Sequence, residues 1–302
     1  MSVAATTEVP LARRPLPGSR VLRRLARQPV TLAALGFLLP LLVVAWYAHD
    51  LAPYHWMYID TSRFEEPPSL SGWHVFGTDN IGRDVFSRSL WALGESERVA
   101  LTAAALATLV GTLVGALAGY FGGLLDALLM RIGDLVTAYP AMLVLLAVIV
   151  YARPVTPRTL VIVLVAYLWV SVARVVRASI VSQREHEYVE AARAIGASDL
   201  RIVFRHLLPN SAGPVIVAGT TIVGQAILLD ATTEFFNFGL SQEEQPTLGN
   251  MIADVTKYGV GIRSPVGYGW WMWAFPALTL VLVLVAFNLV GDGLDEALTP
   301  RR

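Results

Sequence analysis

Residues 30–48 and 99–121 are two runs without a single charged side chain. Each matches the ~20 apolar residues that a helix needs to cross the hydrocarbon of a bilayer. No other feature restricts the fold as strongly. A backbone inside lipid must satisfy its own hydrogen bonds, which leaves only helices and closed barrels. Four further stretches extend the pattern. Residues 127–150 are apolar apart from Arg131 and Asp134 in the first two turns, where both can lie at an interface. Residues 159–173 are short for a crossing but lengthen if the helix runs on past Arg174 and Arg177. Residues 211–229 and 270–290 complete a set of six. The class predicted is an all-α integral membrane protein with six transmembrane helices. A composition of 55% hydrophobic and 15% charged residues supports that class over a soluble multidomain chain of the same length.

Arginine placement orients the helices. Arg13, Arg14, Arg20, Arg23, Arg24 and Arg27 crowd the first 29 residues, and residues 174–210 are equally basic. With both termini in the cytoplasm, these two regions fall on the same side and satisfy the positive-inside rule. Loops 49–98 and 230–269 then face outward. The first apolar run is too long for the core of a signal peptide and lacks a small-x-small cleavage site, so it reads as an uncleaved crossing. The chain divides into a basic tail (1–29), a first crossing (30–48), an external loop (49–98) and a five-helix core (99–302). The core includes a loop at 185–209 and a second external loop at 230–269. Ala103, Ala107, Gly111, Gly115 and Gly119 recur every fourth residue, a ridge of small side chains against which another backbone can pack in lipid. The partner helix could belong to this chain or to another subunit. Trp270, Trp271 and Trp273 read as an aromatic belt at the outer interface.

Several chemistries are excluded. The chain has no cysteine, so thiol catalysis and cysteine-based zinc sites are out. Lys257 is the only lysine and follows a threonine, so no phosphate-binding loop can form. Lysine plus arginine balances aspartate plus glutamate at 23 each, which gives no global charge for nucleic acid. "HEYVE" at 186–190 offers Glu190 where a zinc-protease helix needs its second histidine. Polar groups for a cavity are sparse: Gln225, Asp230 and Asn288 are the main candidates. Asp230 lies about 29 Å along its helix, near the outer surface, which makes it a mouth residue with an interface role or a gating role.

Residues 187–210, "EYVEAARAIGASDLRIVFRHLLPN", break the apolar pattern. The segment predicts two short helices joined at Gly196, which suits a left-handed helix end. Ser198 can cap the second helix, Asp199 lies in its first turn, and Pro209 ends it or opens the next crossing. Tyr188, Ala191, Ala192 and Ile195 share one face of the first helix. Two readings follow: a helix that docks on a partner, or an amphipathic segment held in the headgroups by Arg193, Arg201 and Arg205.

The segment resembles the EAA loop of ABC-importer membrane subunits, E-A-A-x-x-x-G-x₉-I-x-L-P. Glu190, Ala191, Ala192, Gly196, Leu208 and Pro209 match, and His206 replaces the isoleucine. "FGTDNIGRDVFSR" at 76–88 is similar to the block after the first crossing of the dipeptide/oligopeptide (DppC/OppC) type, with Gly77, Thr78, Asp79, Gly82, Arg83 and Asp84. "AFNLVGDGLDEALTPR" at 286–301 resembles its ending. "DATTEFFNFGL" departs from the usual "EAaLSFLGLG", with Asp230 at the glutamate position.

The resemblance implies a type I ABC importer permease in a bacterial plasma membrane. It further implies a homologous partner permease (DppB/OppB type), two ATP-binding subunits or one fused ATPase, and an external substrate-binding protein. ATP and magnesium would sit on the ATPase subunits, with no cofactor on this chain. The EAA loop would receive the motion of the ATPase, and peptides would be the cargo; nickel importers share the architecture. In the 76–88 block, glycines would serve turns, and Asp79, Arg83 and Asp84 would either order the loop or touch substrate. Asp230 and Gln225 are candidates for the mouth of the pathway. A self-sufficient carrier or channel would show pseudo-symmetric halves with broken helices, and the sequence contains no such repeat.

Overall fold

The computed structural model describes residues 25–70, 74–152, 154–240, 245–258 and 269–298. Most of the basic tail, including Arg13, Arg14, Arg20, Arg23 and Arg24, lies outside the described residues, as do parts of the 230–269 loop and the last residues of the 286–301 block. Among the described residues every regular element is a helix. The first, α1, is Pro29–Trp46. A single turn, Ala48–Leu51, and an irregular segment lead into α2, Val85–Phe121.

Helix α2 has 37 residues, hence a length of about 55 Å. It outruns a bilayer core and begins inside the stretch read as external loop 49–98. The start is set chemically: Asp84 adopts the extended N-cap conformation and accepts from the backbone of Ser87 at 2.6 Å. The end is set by Gly122 and Gly123, both at positive φ.

Residues 127–150 do not form one straight crossing. Helices α3 (Gly123–Thr137) and α4 (Ala141–Tyr151) meet at an 88° bend. The cause is Pro140, which disfavours helical backbone at Tyr139 and supplies no N–H of its own. At about 22 and 16 Å neither piece alone spans the hydrocarbon. Counting the bent pair as one, the described residues hold six candidate crossings.

Helix α5, Pro157–Gln183, is capped by Thr156 and continues past Arg174 and Arg177. There follow α6 (Glu187–Ala194), α7 (Asp199–Ile202), α8 (Ala212–Phe235), α9 (Leu248–Tyr258) and α10 (Trp271–Leu298). Among the described residues α2 and α5 make the most extensive contact, and α8 packs on both. Helix α10 packs on α8, α9 and α1.

The small-residue ridge explains the α2–α5 contact. Ala103 and Ala107 are fully buried, and a Cβ at Gly111 would lie 2.6 Å from the carbonyl oxygen of Trp169. One at Gly119 would lie 2.9 Å from that of Arg177, and one at Gly115 would strike that of Ala173. The ridge therefore meets a complementary four-residue spacing on α5 of the same chain, and this resolves the choice of partner. Two ion pairs, Arg174–Asp134 at 2.9 Å and Arg177–Asp126, then tie α5 to α3.

Candidate functional site

The two motif-bearing segments occupy opposite ends of α2. At its first end, residues 76–88 fold around buried charge. Asp79 is the hub: Oδ2 accepts from Arg83 Nε and Arg88 Nη1, each at 2.6 Å, while Oδ1 accepts from the backbone of Ile81 and Arg83. Arg88 is 1% exposed, so an acidic partner is mandatory there. Asp84 has different partners. Its Oδ1 meets His74 Nδ1 at 2.8 Å while Oδ2 caps α2.

Thr78 and Asp84 form an isolated antiparallel bridge. Thr78 Oγ1 donates to the carbonyl of Arg63 and accepts from the backbone of Glu66, which draws the 60–70 segment onto the block. Gly77 and Gly82 hold φ of 76° and 86°, and a Cβ at Gly82 would strike the carbonyl oxygen of Asp60. The motif residues are thus engaged with one another and with residues 60–66. Trp271 is not a belt residue. It is 2% exposed, and its indole Nε1 donates to the Thr78 carbonyl at 3.0 Å, while Trp270 and Trp273 are exposed.

The structure separates Asp230 from Gln225. Five residues along a helix place two side chains about 140° apart. Asp230 is buried against the bundle, with Oδ1 lacking a hydrogen-bond partner among the described residues. Gln225 is exposed on another face, together with Thr221 and Leu228. Asp230 is therefore enclosed and does not line an open mouth. Near it, Glu234 Oε1 accepts from the backbone of Leu240 at 3.0 Å. The carboxylate of Glu234 also fills the space where Gly239 lacks a Cβ.

At the other end, α6 carries Glu187 and Glu190 in its first turn and Arg193 in its last, the arrangement the helix dipole favours. Its apolar residues divide differently from the face expected of Tyr188, Ala191, Ala192 and Ile195. Val189 and Ala192 are buried and Tyr188 packs on the core, whereas Ala191 and Ile195 are exposed. Glu190, Gly196 and Pro209 are also exposed, while Leu208 packs on the core.

Gly196 has φ of 81°, and no atom lies within 4 Å of where its Cβ would be. Ser198 occupies the N-cap position of α7, yet its side chain makes no capping bond. Pro209 does not end the helix. Its missing N–H and its ring would conflict with a straight α-helix, and residues Val203–Leu207 form a π turn whose next N–H, at Leu208, reaches back to the carbonyl of Val203. The chain breaks later, at Ser211.

The ends of the loop are stitched together. Gln183 Nε2 donates to Ser211 Oγ at 2.8 Å, and Ser179 Oγ donates to the same oxygen at 3.0 Å. Arg184 Nη1 donates to the carbonyl of Gly119 at 3.0 Å. Across the middle, Tyr120 Oη donates to Asp199 Oδ1 at 2.6 Å. The Arg193 guanidinium lies 5.6 Å from the centre of the Tyr120 ring. None of Arg88, His74, Tyr120, Glu234 and Trp271 stood out as a site residue in the sequence. Arg88 ends the 76–88 block and could have been found there; Tyr120 and Asp199 lie 79 residues apart, with no local signal to join them.

This architecture matches known proteins. Residues 111–302 match the family model described as "Binding-protein-dependent transport system inner membrane component". The chain belongs to that family. It is an ABC-importer permease of the DppC/OppC type, a membrane subunit and not an enzyme, with the ATPase on a separate subunit.

The dipeptide transport system permease DppC of Bacillus subtilis is 35% identical over 279 residues, covering 92% of this chain and 84% of the relative. The glutathione transport system permease GsiD of Salmonella typhimurium is 39% identical over 281 residues, covering 92% and 89%. A putative peptide transport system permease of Brucella suis is 36% identical over 236 residues, covering 78% and 76%. Among solved structures, a chain of the MetNI methionine ABC transporter in an inward-facing conformation has a TM-score of 0.55 at 18% identity. It covers 71% of this chain and 96% of its own, and at that identity it supports the fold alone.

Proposed function

We propose that this chain forms, with a homologous permease, the translocation path of an ATP-driven peptide importer. The 187–209 loop lies in the cytoplasm with both termini and docks on an ATP-binding subunit. The 76–88 end faces outward, toward an external substrate-binding protein. ATP and magnesium belong to two ATP-binding subunits or one fused ATPase, and this chain carries no cofactor. The membrane is the bacterial plasma membrane.

The observation that carries this reading is the open side of the loop. Ile195, Leu200 and Phe204 are 85%, 58% and 50% exposed, on a segment whose other side is fixed to the bundle. Apolar side chains left in water on a braced support favour a protein partner. Gly196 adds a turn with empty space in front of it. Peptide cargo is supported by the relatives, whose names specify dipeptides, peptides and glutathione.

The test uses ATP-dependent uptake of a labelled dipeptide by the assembled complex. The subunit has no native cysteine, so Ser198→Cys introduces its only thiol. A membrane-impermeant maleimide should miss it in intact cells and label it in inverted vesicles, less so with the ATPase bound. Gly196→Trp, whose side chain projects into the open space, should abolish uptake while the complex remains inserted. Labelling from outside overturns the orientation, and normal uptake by Gly196→Trp overturns the coupling role.

A further inference from the structure

Tyr120 is the last buried side chain before α2 ends, and at 8% exposure it touches two separate parts of the 187–209 loop. Asp199, at the start of α7, accepts a hydrogen bond from its hydroxyl at 2.6 Å. Arg193, in the last turn of α6, covers its ring. The two loop residues flank Gly196, so one side chain grips the loop on both sides of its turn. The preceding residue joins in, because the Gly119 carbonyl accepts from Arg184. The O–H···O⁻ bond is short and charge-assisted, and a cation beside an aromatic face adds electrostatic attraction.

At the far end of the same helix, Asp84 and Arg88 fix α2 to the 76–88 block. A single helix of 37 residues thus runs from one motif to the other with both ends pinned. Such a helix is stiff along its axis, and a displacement at Tyr120 arrives at Asp84 without passing through a hinge.

We infer that Tyr120 is the positioning residue through which the 187–209 loop moves α2, and with it the 76–88 end of the permease. This rests on the coupling role assigned to the loop above, and it names the side chain that hands the motion on. Loop motion that bypassed Tyr120 would act through α5 or α8, whose backbones flank the loop, or through the contacts that the Val203–Leu207 π turn and Arg184 make with α2.

The experiment measures peptide imported per ATP hydrolysed by the intact complex reconstituted in vesicles. Tyr120→Phe keeps the ring beneath Arg193 and removes only the bond to Asp199. Asp199→Ala breaks the same bond from the exposed loop, where folding is least disturbed. Each should lower import per ATP by about fivefold, the low end of allosteric coupling. The double variant should be no worse than either single one, because the two residues act through one bond. A purely structural role for Tyr120 would lower yield and leave the ratio unchanged.

An unchanged ratio in Tyr120→Phe overturns the inference, as does a double variant whose losses multiply. Should Tyr120→Phe fail to assemble, an unchanged ratio in Asp199→Ala overturns it alone. Gly196→Trp separates the two levels. If it blocks import while Tyr120→Phe keeps a normal ratio, the loop couples by another route; if it does not block import, the coupling reading itself falls.

Discussion

Gly82 and Gly196 hold the same left-handed backbone, at φ of 86° and 81°, in opposite surroundings. Gly82 has the Asp60 carbonyl pressed against it, while Gly196 faces empty space. The contrast extends to their neighbours. Thr78, Asp79, Arg83 and Asp84 are all buried and bonded within the 76–88 end. Glu190, Ala191 and Pro209 stand exposed at the other end. The two motifs therefore serve different ends. The first is occupied with structure, because its residues bond one another and the 60–74 segment that folds over them. The second leaves Glu190, Ala191, Gly196 and Pro209 uncommitted and holds itself to the bundle through Val189, Ala192 and Leu208.

Charge removal should divide the two ends most sharply. Asp79→Ala withdraws the carboxylate shared by Arg83 and the buried Arg88, and breaking a buried pair from one side costs ~3–5 kcal/mol. Glu190→Ala removes an exposed carboxylate, and a surface change of this kind falls within about 0.5 kcal/mol. Thermal denaturation of the purified complex should show a large loss for the first and almost none for the second. Equal melting of the two variants would erase the contrast.

Glycine replacement should give a smaller difference in the same direction. Alanine at Gly196 carries only the left-handed backbone penalty, ~1–2 kcal/mol. Alanine at Gly82 carries that penalty and a clash with the Asp60 carbonyl, which pushes the total to about 3 kcal/mol or more. Gly82→Ala should melt below Gly196→Ala in the same assay. The reverse order would mean that the 60–66 segment yields easily, and that Gly82 is as free as Gly196.

The crossings were legible because lipid imposes one requirement on every position, and unbroken apolar runs report it directly. The bend at Pro140 was missed because the apolar run continues through Ala138–Pro140, and hydropathy does not see a lost N–H. The start of α2 at Val85 was hidden by charged residues that read as loop; Asp84 followed by Ser87 at the third position was the available signal. Gly196 was legible through its turn, and Asp79 and Arg83 through the resemblance of the 76–88 block. Asp230 misled because depth along a helix says nothing about which way a side chain faces. The link between Tyr120 and Asp199 could not be read at all, since it exists only once α2 has packed beside the loop.

The smallest effect concerns what steadies the carbonyl that crowds Gly82. Asp60 donates its backbone N–H to the Gly82 carbonyl at 2.9 Å, so the two residues brace each other. Its side chain is held in turn by Ser62, whose hydroxyl donates to Oδ1 at 2.6 Å and whose backbone N–H donates at 2.9 Å. These bonds favour the ionised carboxylate, the hydroxyl most of all, and hold the Asp60 pKa below the usual aspartate range. A lowered native pKa contributes stability above the unfolded value and loses it as pH falls through the native one. Ser62→Ala removes the hydroxyl bond and leaves the backbone bond, so the Asp60 pKa should rise part of the way back. The variant should melt slightly below wild type at about pH 6, and the gap should narrow as pH falls below the unfolded aspartate value and through the lowered native one. The same serine-to-alanine change at Ser198, whose side chain makes no capping bond, should show no pH-dependent gap. A Ser62→Ala gap that stays constant across this range would mean that Asp60 braces Gly82 through its backbone alone.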